Sequence, residues 1–256
     1  MSDDACVIAL LGATAALYTA GIVAARRRGR RFGGWPIVAF AAGLALLAIA
    51  LTGPADDLAD RSLTWHMIQH LALVGVAAPL LLLGAPLRFA LGALPAVRAA
   101  GLARALNALP LRALVHPAIA WLQFAFVLYA VHFSRLYEAA LEHPPIHAFE
   151  HALFLGSALV FWTPLLAVAP APHAPPHPVR LLALFAALPM SAFLGFVFYV
   201  TRHVLYAHYA LHPGALADQM RAGAVMWICG GLPLFAALLG CIAAWGARER
   251  RLGSTG

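Results

Sequence analysis

Two pairs of histidines, each with a spacing of four residues, are the part of this sequence whose chemistry is easiest to define. His66 and His70 lie in the segment HMIQH, and His147 and His151 lie in HAFEH, where Glu150 precedes the second histidine. On an α-helix, residues four apart share one face, so each pair presents two imidazoles about one turn apart. Two such helices in contact would surround a single metal ion with four imidazoles and a carboxylate.

The histidines alone do not select a metal, because imidazole binds copper, zinc, iron and nickel. Met67, beside His66, adds a soft thioether that favours Cu(I). Glu150 suits either a ligand or an acceptor that orients an imidazole N–H. The competing interpretation of these residues is a buried polar network that holds helices together. Further candidate ligands, for an additional site, are His132, Tyr137, Asp218 and Met226.

The composition places these residues in a membrane protein. Of the 256 residues, 63% are hydrophobic and 11% are charged, whereas soluble domains have roughly 45–50% apolar and about 25% charged residues. So many apolar side chains do not fit inside a water-soluble globule of this size. The chain is therefore predicted to be an all-α, polytopic membrane protein with a single integral membrane domain over residues 1–256.

Seven apolar segments are long enough to cross a bilayer, because about 20 helical residues span its hydrocarbon core. They predict a bundle of seven transmembrane helices, with one histidine pair in the first turns of the third span and the other in the first turns of the fifth. The predicted spans cover residues 5–25, 35–53, 66–84, 116–134, 146–168, 179–201 and 219–245.

The charged residues predict the orientation of this bundle. All 17 basic residues are arginine; if seven spans alternate, thirteen of them lie on one side and nine of the 10 acidic residues on the other. The arginine-rich side is cytoplasmic by the positive-inside rule, so the N-terminus lies outside and the C-terminus in the cytoplasm. Both histidine pairs then lie near the outer face. Topology accounts for the net charge of +7, so no nucleic-acid partner is predicted.

Three connections between spans carry structural predictions. Residues 87–115 are expected to contain a basic amphipathic helix that lies on the membrane surface. Residues 169–178 read as a stiff, proline-rich turn. In residues 202–218 the pattern favours a surface amphipathic helix, with Tyr206 and Tyr209 as interfacial anchors, over a contribution to the metal site.

The sequence lacks the motifs of the common soluble enzymes. It contains no phosphate-binding P-loop, no GxSxG segment and no HExxH segment, which favours a binding and transfer protein over an enzyme. Two alternatives stay open: a membrane haem protein with axial histidines from two helices, and a metal or proton-coupled transporter. Axial ligation needs imidazoles that face each other across a macrocycle. A transporter predicts ionisable residues at mid-membrane, whereas here they concentrate near one surface.

Three segments resemble the CtaG-like cytochrome c oxidase assembly factors, a multi-pass bacterial membrane family. They extend across predicted spans three to seven, in order. The first runs from Trp65 through Pro86 and the second from His132 to Leu166. The third segment consists of Asp218 and Gln219 followed by Gly223, Met226, Trp227 and Gly230.

The resemblance implies a role in maturing a haem-copper oxidase, most directly by delivering copper at the outer face of the bacterial plasma (inner) membrane. It implies oxidase subunits as partners within the lipid bilayer, with a copper chaperone as a further candidate partner. After His70 the sequence departs from the family pattern, because Leu71-Ala72-Leu73 stands where another methionine is expected. The matching residues are His66, Met67, His70, His132, Tyr137, His147, Glu150, His151, Asp218, Gln219, Met226 and Trp227.

Overall fold

The computed structural model describes residues 3–168 and 174–253, and this part of the chain forms α-helices with no β-strand. The proline-rich turn predicted over 169–178 lies partly outside the described residues, which resume at 174. In chain order the helices are α1 Asp3–Arg27, α2 Trp35–Leu51, α3 Pro54–Arg61, α4 Leu63–Leu71, α5 Ala78–Leu83, α6 Pro86–Ala93, α7 Ala96–Leu106, α8 Leu109–Leu114, α9 Pro117–His132, α10 Arg135–Glu142, α11 Pro144–Leu166, α12 His177–Val200, α13 Ala207–Ala210, α14 Ala215–Cys229 and α15 Leu232–Gly253, with a π-helical segment, Ala72–Ala77, between α4 and α5.

The seven predicted spans each overlap one helix or a run of consecutive helices. Two of the segments reach membrane-spanning length only as bent pairs: α2 with α3, bent by 50°, and α9 with α10, bent by 65°. The described residues thus hold five to seven candidate spans, which confirms an all-α, multi-pass membrane protein. The five segments that are long and apolar enough by themselves are Asp4–Arg27, Leu63–Ala93, Pro144–Leu166, His177–Val200 and Ala215–Leu252.

Large apolar side chains cover the outside of these helices. Leu17, Phe126 and Phe185 are 75%, 73% and 66% exposed, and many other leucine, isoleucine and phenylalanine side chains point outward with them. A soluble monomer rarely exposes contiguous apolar surface on this scale. Contact with lipid explains this surface.

The connection over residues 87–115 contains three short helices, α6, α7 and α8. The 11-residue α7 carries Arg98 and Arg104 and has no buried residue, so it is consistent with the predicted basic surface helix. Proline explains the breaks: Pro95 directly precedes α7, and Pro110 occupies the first turn of α8. α6 packs against α1, with Phe89 buried at a ring-centroid distance of 5.2 Å from Tyr18. No residue of α7 or α8 is buried.

The helix that carries the first histidine pair changes geometry after Leu71, one residue beyond His70. The next residues, Ala72–Ala77, are π-helical, and the Val74 carbonyl accepts a hydrogen bond from Trp162 Nε1 of α11 at 2.8 Å. A π-turn holds one residue more than the matching stretch of α-helix and often lies at a functional site. The residues before and after the π-segment therefore do not follow one continuous α-helical register. The direction in which His66 and His70 point is thus offset from the direction that a regular helix through Ala77 would give them.

α12 and α14 approach each other most closely at two facing glycines. A Cβ added to Gly195 would lie 2.6 Å from the carbonyl oxygen of Gly223, and one added to Gly223 would lie 2.6 Å from the carbonyl oxygen of Gly195. Real Cβ atoms do not come so close to backbone atoms, so only glycine permits this separation. Small residues allow membrane helices to pack backbone to backbone in this way.

We expect Gly195→Ala and Gly223→Ala each to push α12 and α14 apart and to lower the stability of the detergent-solubilised protein by about 1–3 kcal/mol, the usual cost of overpacking. Thermal unfolding followed by circular dichroism measures this loss. Gly156→Ala is the matched control, because Gly156 is a helical glycine of α11 whose added Cβ would have no neighbour within 4 Å. Equal melting temperatures for all three variants would contradict the close packing.

Candidate metal centre

The two histidine pairs lie in the first turns of α4 and α11, and local sequence fixes where both helices begin. Ser62 precedes α4, and its Oγ accepts a hydrogen bond from the Trp65 amide at 3.4 Å, as a serine N-cap does. α11 begins at Pro144, and the fixed φ of proline suits the first helical position. The four-residue spacing then places both histidines of each pair on one helix face.

The structure brings the two pairs together. The ring centroids of His66 and His147 are 5.2 Å apart, and those of His70 and His151 are 5.4 Å apart. His66, His70 and His151 are buried, whereas His147 is partly exposed. Sequence spacing cannot establish that two helices touch, but here the four imidazoles and Glu150 form one group, the histidine cluster.

Three ligand atoms of the histidine cluster have the spacing that one metal ion requires. The Nε2 atoms of His66 and His70 are 3.0 Å apart, and Glu150 Oε2 lies 3.9 Å from the first and 4.0 Å from the second. A point in the plane of these atoms lies about 2.1 Å from all three, which matches the ~2.0–2.2 Å of Zn–N and Zn–O bonds. The donor set of two imidazoles and a carboxylate therefore fits a divalent or soft monovalent transition metal.

A second set of ligand atoms overlaps the first. One nitrogen each from His66, His147 and His151 lies within 4.8 Å of the others, as do the ligand atoms of the first set. His66 belongs to both sets. The cluster therefore offers more donor atoms than one ion uses at a time, and the two sets meet at a shared imidazole.

Tyr209, from the loop between α12 and α14, orients His66. Its hydroxyl donates a hydrogen bond to the Ala59 carbonyl at 2.8 Å and lies 3.1 Å from His66 Nδ1. Since its only proton is used on Ala59, the hydroxyl oxygen accepts from His66 Nδ1–H. This leaves the lone pair of His66 on Nε2, which faces His70 Nε2 at 3.0 Å. Burial raises the pKa of the Tyr209 hydroxyl well above its usual range, so the donor stays protonated.

The cluster holds most of the buried polar atoms that lack a partner in the described part of the chain. Buried polar groups normally have hydrogen-bond partners, so each exception requires an explanation. Here the exceptions converge on one place, which is the arrangement expected around an ion or ordered water. The unpartnered atoms in and beside the cluster are His70 Nδ1, His132 Nε2, the Tyr137 hydroxyl, His147 Nε2, both Glu150 carboxylate oxygens and His151 Nε2.

His132 and Tyr137, predicted for an additional site, lie beside the cluster. Tyr137 is fully buried, with ring centroids 5.2 Å from His66 and 5.3 Å from His132. His132 Nδ1 is 2.7 Å from the Leu128 carbonyl, so this nitrogen carries the proton and Nε2 has the lone pair. The His132 and His70 ring centroids are 6.2 Å apart.

The other predicted ligands make further contacts in the bundle. Met67 is fully buried and packs in the hydrophobic core. Met226 is also buried and lines a cavity below the cluster. Asp218 instead ties α14 to the start of α4: its carboxylate accepts hydrogen bonds from Ser62 Oγ at 3.0 Å and from Thr64 Oγ1 at 2.8 Å.

The prediction for the loop over residues 202–218 was wrong. Its one short helix, α13, has four residues, and Tyr206 and Tyr209 are 5% and 3% exposed, so they do not anchor a surface helix. Tyr206 donates to the His132 carbonyl at 3.0 Å, and both tyrosines close the cluster from its outer end. Their three-residue spacing is the one signal in the sequence that they share a face, and it does not say which way that face points.

His147 is the most accessible histidine of the cluster. Asp56 and Asp60 of α3 are close enough to act electrostatically on it. Asp56 also accepts a hydrogen bond from Gln69 Nε2 at 2.7 Å, which fixes α3 against α4. These carboxylates give the approach to His147 a negative potential, which favours a cation.

Comparison with known proteins gives one family. The model of the family described as cytochrome c oxidase caa3 assembly factor (Caa3_CtaG) matches residues 16–248. This range includes every residue of the histidine cluster. No solved structure matches the chain significantly.

Curated relatives come from mycobacteria. An uncharacterized protein of Mycobacterium bovis is 27% identical over 253 residues, which cover 93% of this chain and 38% of that protein. An uncharacterized protein of Mycobacterium leprae is 27% identical over 263 residues, which cover 95% of this chain and 40% of that protein. This chain spans about two-fifths of the length of these relatives.

We expect Asp218→Ala to lower the free energy of unfolding by about 1–3 kcal/mol, because the hydroxyls of Ser62 and Thr64 lose their acceptor. Metal content should stay at the wild-type value, since Asp218 is bonded away from the cluster. Thermal unfolding and metal analysis of the same samples check both statements, with the exposed Asp57→Ala as the control. Loss of metal at an unchanged melting temperature would instead make Asp218 a ligand.

Proposed function

Because this chain belongs to the cytochrome c oxidase caa3 assembly factor family, we propose that it binds copper at the histidine cluster and assists the maturation of the metal centre of a haem-copper oxidase. Copper is the cargo in this proposal. The chain binds and hands over an ion without catalysing a reaction. Its partners are oxidase subunits in the same membrane, and a copper chaperone is a candidate donor.

One observation carries the proposal. His66 Nε2, His70 Nε2 and Glu150 Oε2 are spaced for a single ion inside an apolar bundle, and most of the unpartnered buried atoms surround them. Ionisable groups inside a membrane are costly and generally mark a functional path. A network with a purely structural role would be expected to pair these atoms with each other.

The excess of ligands favours transfer over permanent binding. Structural zinc sites are closed by four ligands, whereas this cluster has two overlapping sets that share His66. An ion bound by one set keeps the shared imidazole while it exchanges its other ligands. His147 is partly exposed, so it is the residue at which an incoming ion first meets the cluster.

We place the cluster at the outer face of the bacterial inner membrane, with seven spans, the N-terminus outside and the C-terminus in the cytoplasm. The asymmetric arginine distribution supports this orientation. The contact between Arg28 Nε and the Ala93 carbonyl at 2.9 Å supports it as well. Ala93 ends the segment Leu63–Ala93, so the arginine-rich end of α1 lies at the opposite end of that segment from His66.

Copper is favoured over haem as the ligand of this site. The imidazoles of the cluster are in mutual contact, with centroid distances of 4.4 Å for His66–His70 and 4.2 Å for His147–His151. The cavity below them is about 50 Å³, far below the ~300–1,000 Å³ of pockets that hold larger organic ligands. A macrocycle would require the helices to separate.

We expect the alanine variant at His66, His70, His147 and His151 to lose bound copper and to fail to support oxidase maturation in cells, because it lacks every imidazole of the cluster. The measurements are copper per chain after Cu(I) loading, the optical spectrum of the purified protein, and oxidase activity of membranes from cells that carry the variant. The spectrum is expected to contain no Soret band.

The matched control replaces four exposed histidines, His116, His143, His203 and His212, with alanine. It changes the histidine count equally and should keep copper and function. A second cluster variant with glutamine at the same four positions keeps polar side chains and tests whether a folded protein without imidazole still binds. Copper and maturation that survive in the folded glutamine variant would sink the proposal, and a Soret band would favour a haem protein.

We also expect Tyr209→Phe to weaken copper binding by about 10–100-fold, the usual effect of removing a group that orients a metal ligand. The change removes the hydroxyl that fixes His66 and leaves the aromatic ring in place. Competition with a Cu(I) chelator measures the affinity. Tyr199→Phe, at a partly exposed tyrosine of α12 (43% exposed), is the control and should bind as the wild type does. An unchanged affinity in Tyr209→Phe would show that His66 needs no such support.

A further inference from the structure

A cavity of about 50 Å³ adjoins the histidine cluster at His70. It is lined by residues of α4, the π-segment, α9, α11, α12, α14 and α15. It is large enough for an ion or a few water molecules. Its wall is mostly apolar, with Phe124, Phe154, Phe161 and Trp162 among the lining residues. A purely apolar cavity needs no explanation, but four residues of this wall are potential metal ligands.

Two of those four are histidines, each with a ring nitrogen that has no hydrogen-bond partner among the described residues. His132 is 3% exposed, its Nδ1–H donates to the Leu128 carbonyl at 2.7 Å, and its Nε2 has no partner among the described residues. His70 is equally buried: its Nε2 lies 3.0 Å from His66 Nε2 and its Nδ1 has no partner. The His70 ring therefore belongs both to the cluster, through Nε2, and to the wall of the cavity.

The other two are methionines from the two helices that pack at Gly195 and Gly223. Met190 of α12 and Met226 of α14 both line the cavity and are 5% and 2% exposed. Met226 is eleven residues into α14, roughly 16 Å along the helix axis, so the cavity extends deeper than the cluster. The thioether of methionine is a soft ligand and selects Cu(I) among the biological metals.

We propose that this cavity is a second copper site, which holds Cu(I) between His132 Nε2 and the thioethers of Met190 and Met226, and that His70 connects it to the histidine cluster. The proposal rests on the proposed function, since the cluster supplies the ion. The transfer is a ligand exchange: bonds from Cu(I) to cluster ligands break as bonds to His132 and the two sulfurs form. Copper stays Cu(I), and no electron moves.

The difference in ligands gives the two sites different preferences. The histidine cluster offers nitrogen and oxygen atoms and accepts Zn(II) as well as copper, whereas the cavity offers one nitrogen and two sulfurs and accepts Cu(I). The apolar wall also favours a monovalent ion, because a higher charge is more costly to bury. The cavity therefore selects the soft Cu(I) ion over the harder Zn(II) ion.

The test uses full-length protein in detergent, with serine at Cys6 and Cys229 and alanine at Cys241 so that no thiolate contributes a copper–sulfur bond. Each sample is loaded anaerobically with Cu(I) alone or with Zn(II) alone. Metal per chain and the X-ray absorption fine structure of copper are then measured. Three proteins are compared: the parent, the pair Met190→Leu/Met226→Leu, and the control Met220→Leu, which lies on α14 and is absent from the cavity lining.

The parent and Met220→Leu should each bind two Cu(I) and one Zn(II) and show copper–sulfur scattering. Met190→Leu/Met226→Leu should bind one Cu(I) and one Zn(II) and lose the sulfur scattering. Leucine is close to methionine in volume, so the bundle should stay folded, and the retained Zn(II) reports that the cluster is intact.

Copper–sulfur scattering that persists in Met190→Leu/Met226→Leu would overturn the cavity site, as would its absence from the parent. The proposed function fails separately. If the parent binds one Cu(I) through nitrogen and oxygen only, and the alanine variant at the four cluster histidines loses it, the cavity site is wrong and the proposed function stands. If the parent binds no copper, both are wrong.

Discussion

Burying four imidazoles and a carboxylate inside an apolar helical bundle costs free energy, and much of the surrounding structure offsets this cost. The Tyr209 hydroxyl accepts from His66, and the Leu128 carbonyl accepts from His132. These bonds use Nδ1 of each ring and leave the lone pair on Nε2. The bundle therefore fixes the tautomers of these two histidines. An ion bound at the cluster, as proposed, would offset the remaining cost, so metal binding would stabilise this end of the bundle.

The parts of this arrangement that depend on helical periodicity could be predicted from the sequence. Hydrophobic length gives the helices, and the four-residue spacing puts His66 with His70 and His147 with His151 on one face each. The charge distribution predicts which end of each helix shares a side of the membrane, and this places both pairs at a similar depth. Glu150 lies three residues after His147, so it too is expected on that face of the helix. These inferences need only the geometry of a single helix.

The parts that depend on contacts between distant segments could not be predicted. Tyr206 and Tyr209 have the composition of interfacial anchors, yet they point inward because Ala59 and His132 offer carbonyls there. Asp218 has a carboxylate of the kind that binds metals, but here this carboxylate accepts hydrogen bonds from the hydroxyls of Ser62 and Thr64. In each case the side chain is compatible with two environments, and only the packing of α3, α4 and α14 decides between them.

The π-segment Ala72–Ala77 has a consequence for how this family member tolerates insertions and deletions. One extra residue in a helix turns everything beyond it by about 100° relative to a continuous α-helix. His66 and His70 lie before the π-segment. Val74, whose carbonyl accepts a hydrogen bond from Trp162, lies within the segment. Removing one residue from this segment would restore a regular helix and rotate the two histidines away from α11, although every hydrophobic residue and both histidines would still be present. The orientation of the two histidines thus depends on the number of residues in this segment, and sequences of equal hydropathy but different length here would place their histidines differently.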